Sequence, residues 1–106
     1  MSRRLAIVLS TSPDSGDFER ARVLAAAARN IGVEVGLFFM DAGVETLATS
    51  PDDAAELAAL GCDVWACSQS AEQRNLTERH LPGVVLGSQD DHAALVHAAD
   101  RVLAFA

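Results

Sequence analysis

Short runs of consecutive apolar residues alternate along this chain with longer stretches in which apolar residues recur every three or four positions. Leu5-Ala-Ile-Val-Leu9 is a continuous apolar run with β-branched members. Bounded by the turn-forming Ser10-Thr-Ser-Pro-Asp-Ser-Gly16, it predicts a strand buried on both faces. From Asp17 to Ile31, Ala21, Leu24, Ala25 and Ala28 fall on one helical face and Arg22 and Arg29 on the outer one, with Gly32 placed to end the helix. Val33 to Phe39 returns to a strand pattern. Ser50-Pro51-Asp52-Asp53 supplies a capping hydroxyl, a proline where no N–H is missed and two carboxylates near the positive dipole end. A helix is therefore expected from there to Leu60, stopped by Gly61. Asp63 to Ala66 predicts a third strand, and Ser70-Ala-Glu-Gln73 a capping box for a short helix after it. Val84 to Leu86 predicts a fourth strand. Ser88 with Asp90 and Asp91 opens a last helix to about Ala99, and Arg101 to Phe105 closes the chain as a fifth strand. Asp41 to Thr49 is the stretch weakest in pattern.

Five strands with helical segments between all consecutive pairs imply right-handed crossovers. The fold class read here is α/β: a three-layer α/β/α arrangement with a mostly parallel five-stranded sheet, in a single domain over residues 1–106 without repeat or linker. A chain of this size buries roughly 65% of the surface its unfolded form exposes. Half of the residues are apolar but aromatics make up only 5% and Tyr is absent, so the core must be Ala, Val and Leu closely packed. Asp and Glu number 15 against 8 basic residues, all Arg, and the resulting charge of −7 repels phosphate, which argues against nucleic acid as a direct ligand. Two cysteines cannot build the framework of a small secreted domain, so a reducing cytoplasm is expected. Arg3 and Arg4 before Leu5 to Leu9 imitate a secretion signal, but the apolar run falls short of the roughly 7 to 15 residues required. No run approaches the ~18 apolar residues of a membrane span.

In an open parallel sheet, ligands collect at the carboxyl ends of the strands. The candidates there are Thr11, Ser12 and Asp14 after the first strand, Asp41 after the second, Cys67 and Ser68 after the third, and Gly87 and Ser88 after the fourth. The first loop lacks both Gly-rich phosphate-cradling patterns, and Asp14 and Asp17 would repel phosphate. His92 and His97 are five apart on one helix, too far round to ligate together, and His80 lies in a turn near Pro82; no metal site is expected. Cys62 and Cys67 sit at opposite ends of one strand and, being an odd number apart, point to opposite faces. Cys62 reads as a small core residue. Cys67 falls where a strand ends and a helix begins, where free N–H groups, and a cation such as Arg74, would favour the nucleophilic thiolate. The competing reading is a buried, inert thiol.

Four segments, taken in order, carry a family likeness: Leu5 to Asp17 leading into Glu19-Arg20-Ala21; Gly32-Val-Glu-Val-Gly-Leu-Phe38 with Asp41-Ala-Gly-Val44; Val64-Trp-Ala-Cys67 with Ser70-Ala71 and Arg74; and Ala99-Asp100-Arg101-Val-Leu-Ala-Phe105. Almost end to end the chain resembles the DsrE/TusD-like (DsrEFH-like, YchN-like) family of small sulfur-relay proteins. That resemblance implies a five-stranded parallel sheet, assembly as a trimer or hexamer, and a persulfide held on a cysteine at the end of the third strand, here Cys67. Ser70, Ala71 and Arg74 match the turn that follows it in such proteins. Asn75 stands where a glycine is common, a departure of little weight if Asn75 adopts a left-handed backbone.

Two readings follow. In the first, Cys67 is the catalytic residue of a sulfur carrier or sulfurtransferase, with Ser68, Ser70, Arg74, Ser12 and Ser88 as supporting candidates, sulfur donor and acceptor proteins as partners, and no metal or organic cofactor implied. In the second, the chain is a non-catalytic homo-oligomeric module with Cys67 buried, and Leu37-Phe38-Phe39-Met40 either meets another subunit or fills the chain's own core. A nucleotide or flavin binder of flavodoxin-like shape is a minor third reading. Trp65, two residues before Cys67, either walls the site or anchors the core. Arg101 and Asp100 are expected to form a structural ion pair.

Overall fold

The computed structural model describes residues 3–106; Met1 and Ser2 of the expected domain lie outside them. The elements run β1 (Arg4–Leu9), α1 (Asp17–Asn30), β2 (Glu34–Phe39), α2 (Gly43–Thr49), α3 (Pro51–Ala59), β3 (Asp63–Cys67), α4 (Ser68–Gln73), β4 (Val85–Gly87), α5 (Gln89–Ala98) and β5 (Arg101–Phe105), with single 3-10 turns at Pro13–Ser15 and Glu78–His80. The strands pair in the order β4-β3-β2-β1-β5, every pair parallel. From β1 the chain steps outward through β2 and β3 to β4, then returns across the whole sheet to β5 on the far side of β1. Right-handed crossovers therefore put the outward helices on one face and the returning helix on the other.

The sequence pattern explains that division. Ile7, Leu9, Val35, Leu37, Phe39, Val64 and Ala66 project from alternate strand positions into a core closed by Phe18, Ala21 and Ala25 of α1, Val44 and Leu47 of α2, Ala54 and Leu57 of α3 and Ala71 of α4. The Phe18 and Phe39 rings meet edge to face at 5.7 Å. The opposite face carries Gly36, Phe38, Trp65 and Cys67, and among the described elements α5 crosses it: Leu95 packs onto Gly36, and the His92 ring lies 5.0 Å from that of Phe38. No α5 residue is buried, so that layer is thin.

Several local expectations are corrected. Asp41 to Thr49 contains a helix, α2, that no capping side chain announces. It starts where Gly43 lies against the Leu9 carbonyl, an approach that a Cβ would block. Ser50 precedes Pro51 as expected but makes no side-chain cap hydrogen bond. Ser70 does not open α4, which begins at Ser68 directly on the end of β3, because Ser70 is needed inside (below). Asp100 and Arg101 do not pair through their side chains: the Asp100 carboxylate accepts from the Arg4 N–H at 2.8 Å, and Arg101 donates to the Asp100 carbonyl. Leu37, Phe38 and Phe39 are fully buried within the chain and present no surface to a neighbour. The Ser88 cap stands as read, with Asp91 N–H donating to its Oγ and the Asp91 carboxylate accepting from the Ser88 N–H.

Candidate functional site

Cys67 is the last residue of β3 and the cap residue of α4, so its backbone is extended (ψ 119°) just as the chain turns helical. Register sets its neighbours. Cys67 pairs with Gly87 on β4, so the first residue of α5 arrives beside the sulfur, and the Gln89 amide Nε2 donates to Sγ at 3.7 Å. Gly87 has no room for a side chain, because a Cβ there would lie 2.7 Å from the Trp65 ring and 2.9 Å from the Asp91 carboxylate. That close packing fixes the β4–α5 corner next to Cys67.

On the other side, α4 supplies Ser70, which is buried, and its Oγ accepts a hydrogen bond from the Asp41 N–H at 3.0 Å. With that lone pair used, the Ser70 hydroxyl proton is free to point at the sulfur. Burial alone would raise the Cys67 thiol; the Gln89 amide that donates to it, together with the neighbouring Ser70 hydroxyl and the Ser70 and Gln69 N–H groups, outweighs this and brings the thiol below its ordinary range. These donors are all neutral groups. Cys62 contrasts with it: burial pushes its thiol up, Arg29 offsets this only in part, and Asp63 adds to the rise. Both cysteines are free, and Cys67 is only 5% exposed.

A model of the DsrE/DsrF-like family matches residues 3–105. The chain belongs to that family. Among solved structures, this DsrE/DsrF-like chain is similar to the ychN protein from E. coli, at 20% identity and a TM-score of 0.76 over 99% of this chain and 100% of that one. It is also similar to BT1422 from Bacteroides thetaiotaomicron, a conserved protein of unknown function, at 16% identity and a TM-score of 0.79 over 96% and 94%. At such identities these likenesses establish the fold. No curated protein matches the chain.

The other candidates fall into two groups. Ser68, exposed at the start of α4, borders a cleft of about 820 Å³ floored by Leu76 and Leu86 and edged by Glu72, Glu78 and Arg79. Ser88 holds the first turn of α5 and so positions Gln89. Arg74 is turned away from the sulfur, its Nε 3.2 Å from Glu45 and its Nη1 donating to the Ser70 carbonyl. It steadies α4 without supplying charge to Cys67. Ser12 belongs to the first loop, where Thr11 donates to Asp17, and Ser15 donates to Thr11 and to the Ser12 carbonyl. That loop is tied to itself, not to the Cys67 cluster. Trp65 is half-buried under α5, beside the site and outside the main core.

Gln89 is the functional candidate that sequence reading passed over. The signal was available in principle: a strand pairing Cys67 with Gly87 must bring the next helix start to the sulfur, but pairing register is a tertiary property. Asn75 adopts φ 57°, the left-handed conformation its position requires. Among the described residues no cluster of His, Cys, Asp and Glu could hold a metal, and no helix is long and apolar enough to cross a membrane. The strand order also differs from the flavodoxin-like order 2-1-3-4-5. At the switch point between β1 and β5, where such folds place a ligand, Ser10 N–H and Oγ both bind the Phe105 carbonyl.

Proposed function

We propose that this chain is a sulfur-relay protein that carries sulfane sulfur as a persulfide on Cys67. The observation that supports the reading best is the sulfur's setting: a strand-end thiol that accepts from the Gln89 amide, in neutral polar surroundings that favour its anion. Membership of a family generally associated with sulfur relay agrees with it. In the forward step the Cys67 thiolate attacks the outer sulfur of a donor persulfide, R–S–SH. The Cys67 Sγ–S bond forms, the donor S–S bond breaks, and the electron pair leaves on the donor as R–S⁻. In the return step an acceptor thiolate attacks the outer sulfur and Cys67 leaves as thiolate, so no external oxidant or reductant is used. The donor and acceptor are proteins in this reading, and the open cleft beside Ser68 suits a protein surface better than a small enclosed substrate.

The test is incubation with a persulfidated donor followed by peptide mass spectrometry. One added sulfur on Cys67, lost in Cys67→Ser, is the expected result; no adduct, or equal labelling of Cys62, overturns the proposal.

A second reading, a homo-oligomeric scaffold with an unreactive Cys67, is favoured by a different observation. Apolar side chains stand exposed at both sheet edges, Val85 at 53% on β4 and Val102 and Leu103 at 42% and 40% on β5. Assembly as a trimer or hexamer is proposed under either reading, and light scattering measures it; a cytoplasmic location is part of the first.

A further inference from the structure

We infer that Gln89 is a working part of the Cys67 site, its carboxamide both covering the sulfur and supplying the side-chain N–H that a sulfur anion at Cys67 takes up. This rests on the proposed reading of Cys67 as a carrier. A carrier sulfur must meet a partner's sulfur, yet Cys67 is 5% exposed, so something has to move. Most of its surroundings cannot. The donors from Gln69 and Ser70 belong to the α4 turn, and Ser70 is anchored to the Asp41 N–H of the neighbouring loop at 3.0 Å. On the β4 side, Gly87 is hemmed in by Trp65 and Asp91. Gln89 differs because its backbone is fixed by the Ser88–Asp91 capping box while the residue itself is exposed. A long side chain on a fixed stem rotates without disturbing the fold.

The dimensions support the assignment. Nε2 lies 3.7 Å from Sγ, and a second sulfur would stand about 2.05 Å from Sγ. A persulfide directed toward the open side thus meets the Gln89 amide, which reseats to donate to the outer sulfur. Rotation of the same side chain uncovers Sγ so that it can attack the donor's outer sulfur. Asp91 of α5 is held by the Ser88 N–H, Arg74 at the end of α4 is paired with Glu45 of α2, and Asp41 after β2 contributes its backbone N–H to Ser70. Asp90 of α5 is exposed. Among the described residues no charged side chain is among the groups acting on the sulfur, which leaves Gln89 as its donor from across the β4 corner.

The experiment compares Gln89→Ala and Gln89→Glu with the parent chain, all carrying Cys62→Ala so that one thiol is read. Thiolate ultraviolet absorbance is followed against pH, and iodoacetamide alkylation is timed both below the titration midpoint and where the thiolate is complete. Tyr is absent, so no phenolate overlaps the signal. For Gln89→Ala the titration should move to higher pH, with about a tenfold smaller thiolate fraction below the midpoint. Its plateau alkylation rate should rise, because the cover is gone. Gln89→Glu should titrate higher still, since a carboxylate then faces the anion. Unchanged titration in both variants, or a plateau rate in Gln89→Ala no faster than the parent's, overturns the inference. Circular dichroism confirms folding; an acidic residue is well tolerated in the first turn of a helix. These readouts concern the thiol alone, so their failure is separate from the failure of persulfide formation on the parent chain.

Discussion

The two cysteines, five residues apart in sequence, titrate in opposite directions because one is surrounded mainly by apolar core and the other by hydrogen-bond donors. Each has a definite effect on stability against pH. The Cys62 value is raised in the fold, so its contribution is full below the ordinary thiol value and is lost as pH rises through the raised one. The Cys67 value is lowered, so its contribution is present above the ordinary value and is lost as pH falls through the lowered one. With neither Lys nor Tyr in the chain, few other groups titrate in that range. Denaturant midpoints across the alkaline range should therefore rise with pH in Cys62→Ala and fall with pH in Cys67→Ser. A further residue-scale prediction concerns Thr46, which is buried on α2 with its hydroxyl unpartnered. Thr46→Val keeps the shape and removes the orphan group, and should stabilise the fold by about 1 kcal/mol in urea unfolding. Gly43→Ala should cost about 3 kcal/mol, since its Cβ would press on the Leu9 carbonyl, a backbone atom with little freedom to yield.

At the scale of elements, what could be read from the chain depended on whether local chemistry or distant packing decides the structure. β1, α1, α3 and β5 were legible because each carries its own period and its own punctuation, such as Gly32 after α1 and Pro51 at the start of α3. α2 was not. Its seven residues include Val44, Thr46 and Thr49, poor helix formers, and what holds it is burial of Val44 and Leu47 against the sheet. The short α4 was displaced for a related reason: Ser70 has the chemistry of a cap, but the N–H of Asp41 from another loop claims its oxygen. α5 depends on its capping box more than on buried area, so Ser88→Ala should lower stability by about 1 kcal/mol. It should also raise the alkylation rate of Cys67, because the turn that carries Gln89 then frays.

Over the whole molecule, the segments that follow the carboxyl ends of β2, β3 and β4 carry Asp41, Glu45, Glu72, Asp90 and Asp91, and the nearby Arg74 is already paired with Glu45. A reagent approaching Cys67 crosses that negative field. Cystamine, a dication, should react with Cys67 about tenfold faster than an anionic dithiodicarboxylate at low ionic strength, and the gap should close in high salt. Equal rates at low salt would remove electrostatics from partner choice. The apolar side chains at the sheet edges bear on assembly: Val102→Glu with Leu103→Glu should lower the mass seen by light scattering while leaving circular dichroism intact.

The sequence by itself determined the layer order, the strand segments and the end of the sheet at which Cys67 stands, because periodicity and turn chemistry are written in neighbouring residues. Only the tertiary structure decided which groups surround that sulfur. Ser70, Asp41 and the Gly87–Gln89 corner come from three separate stretches and meet through parallel pairing and helix crossover, and the hydrogen bonds among them and to Cys67 form only once those stretches are brought within a few ångströms.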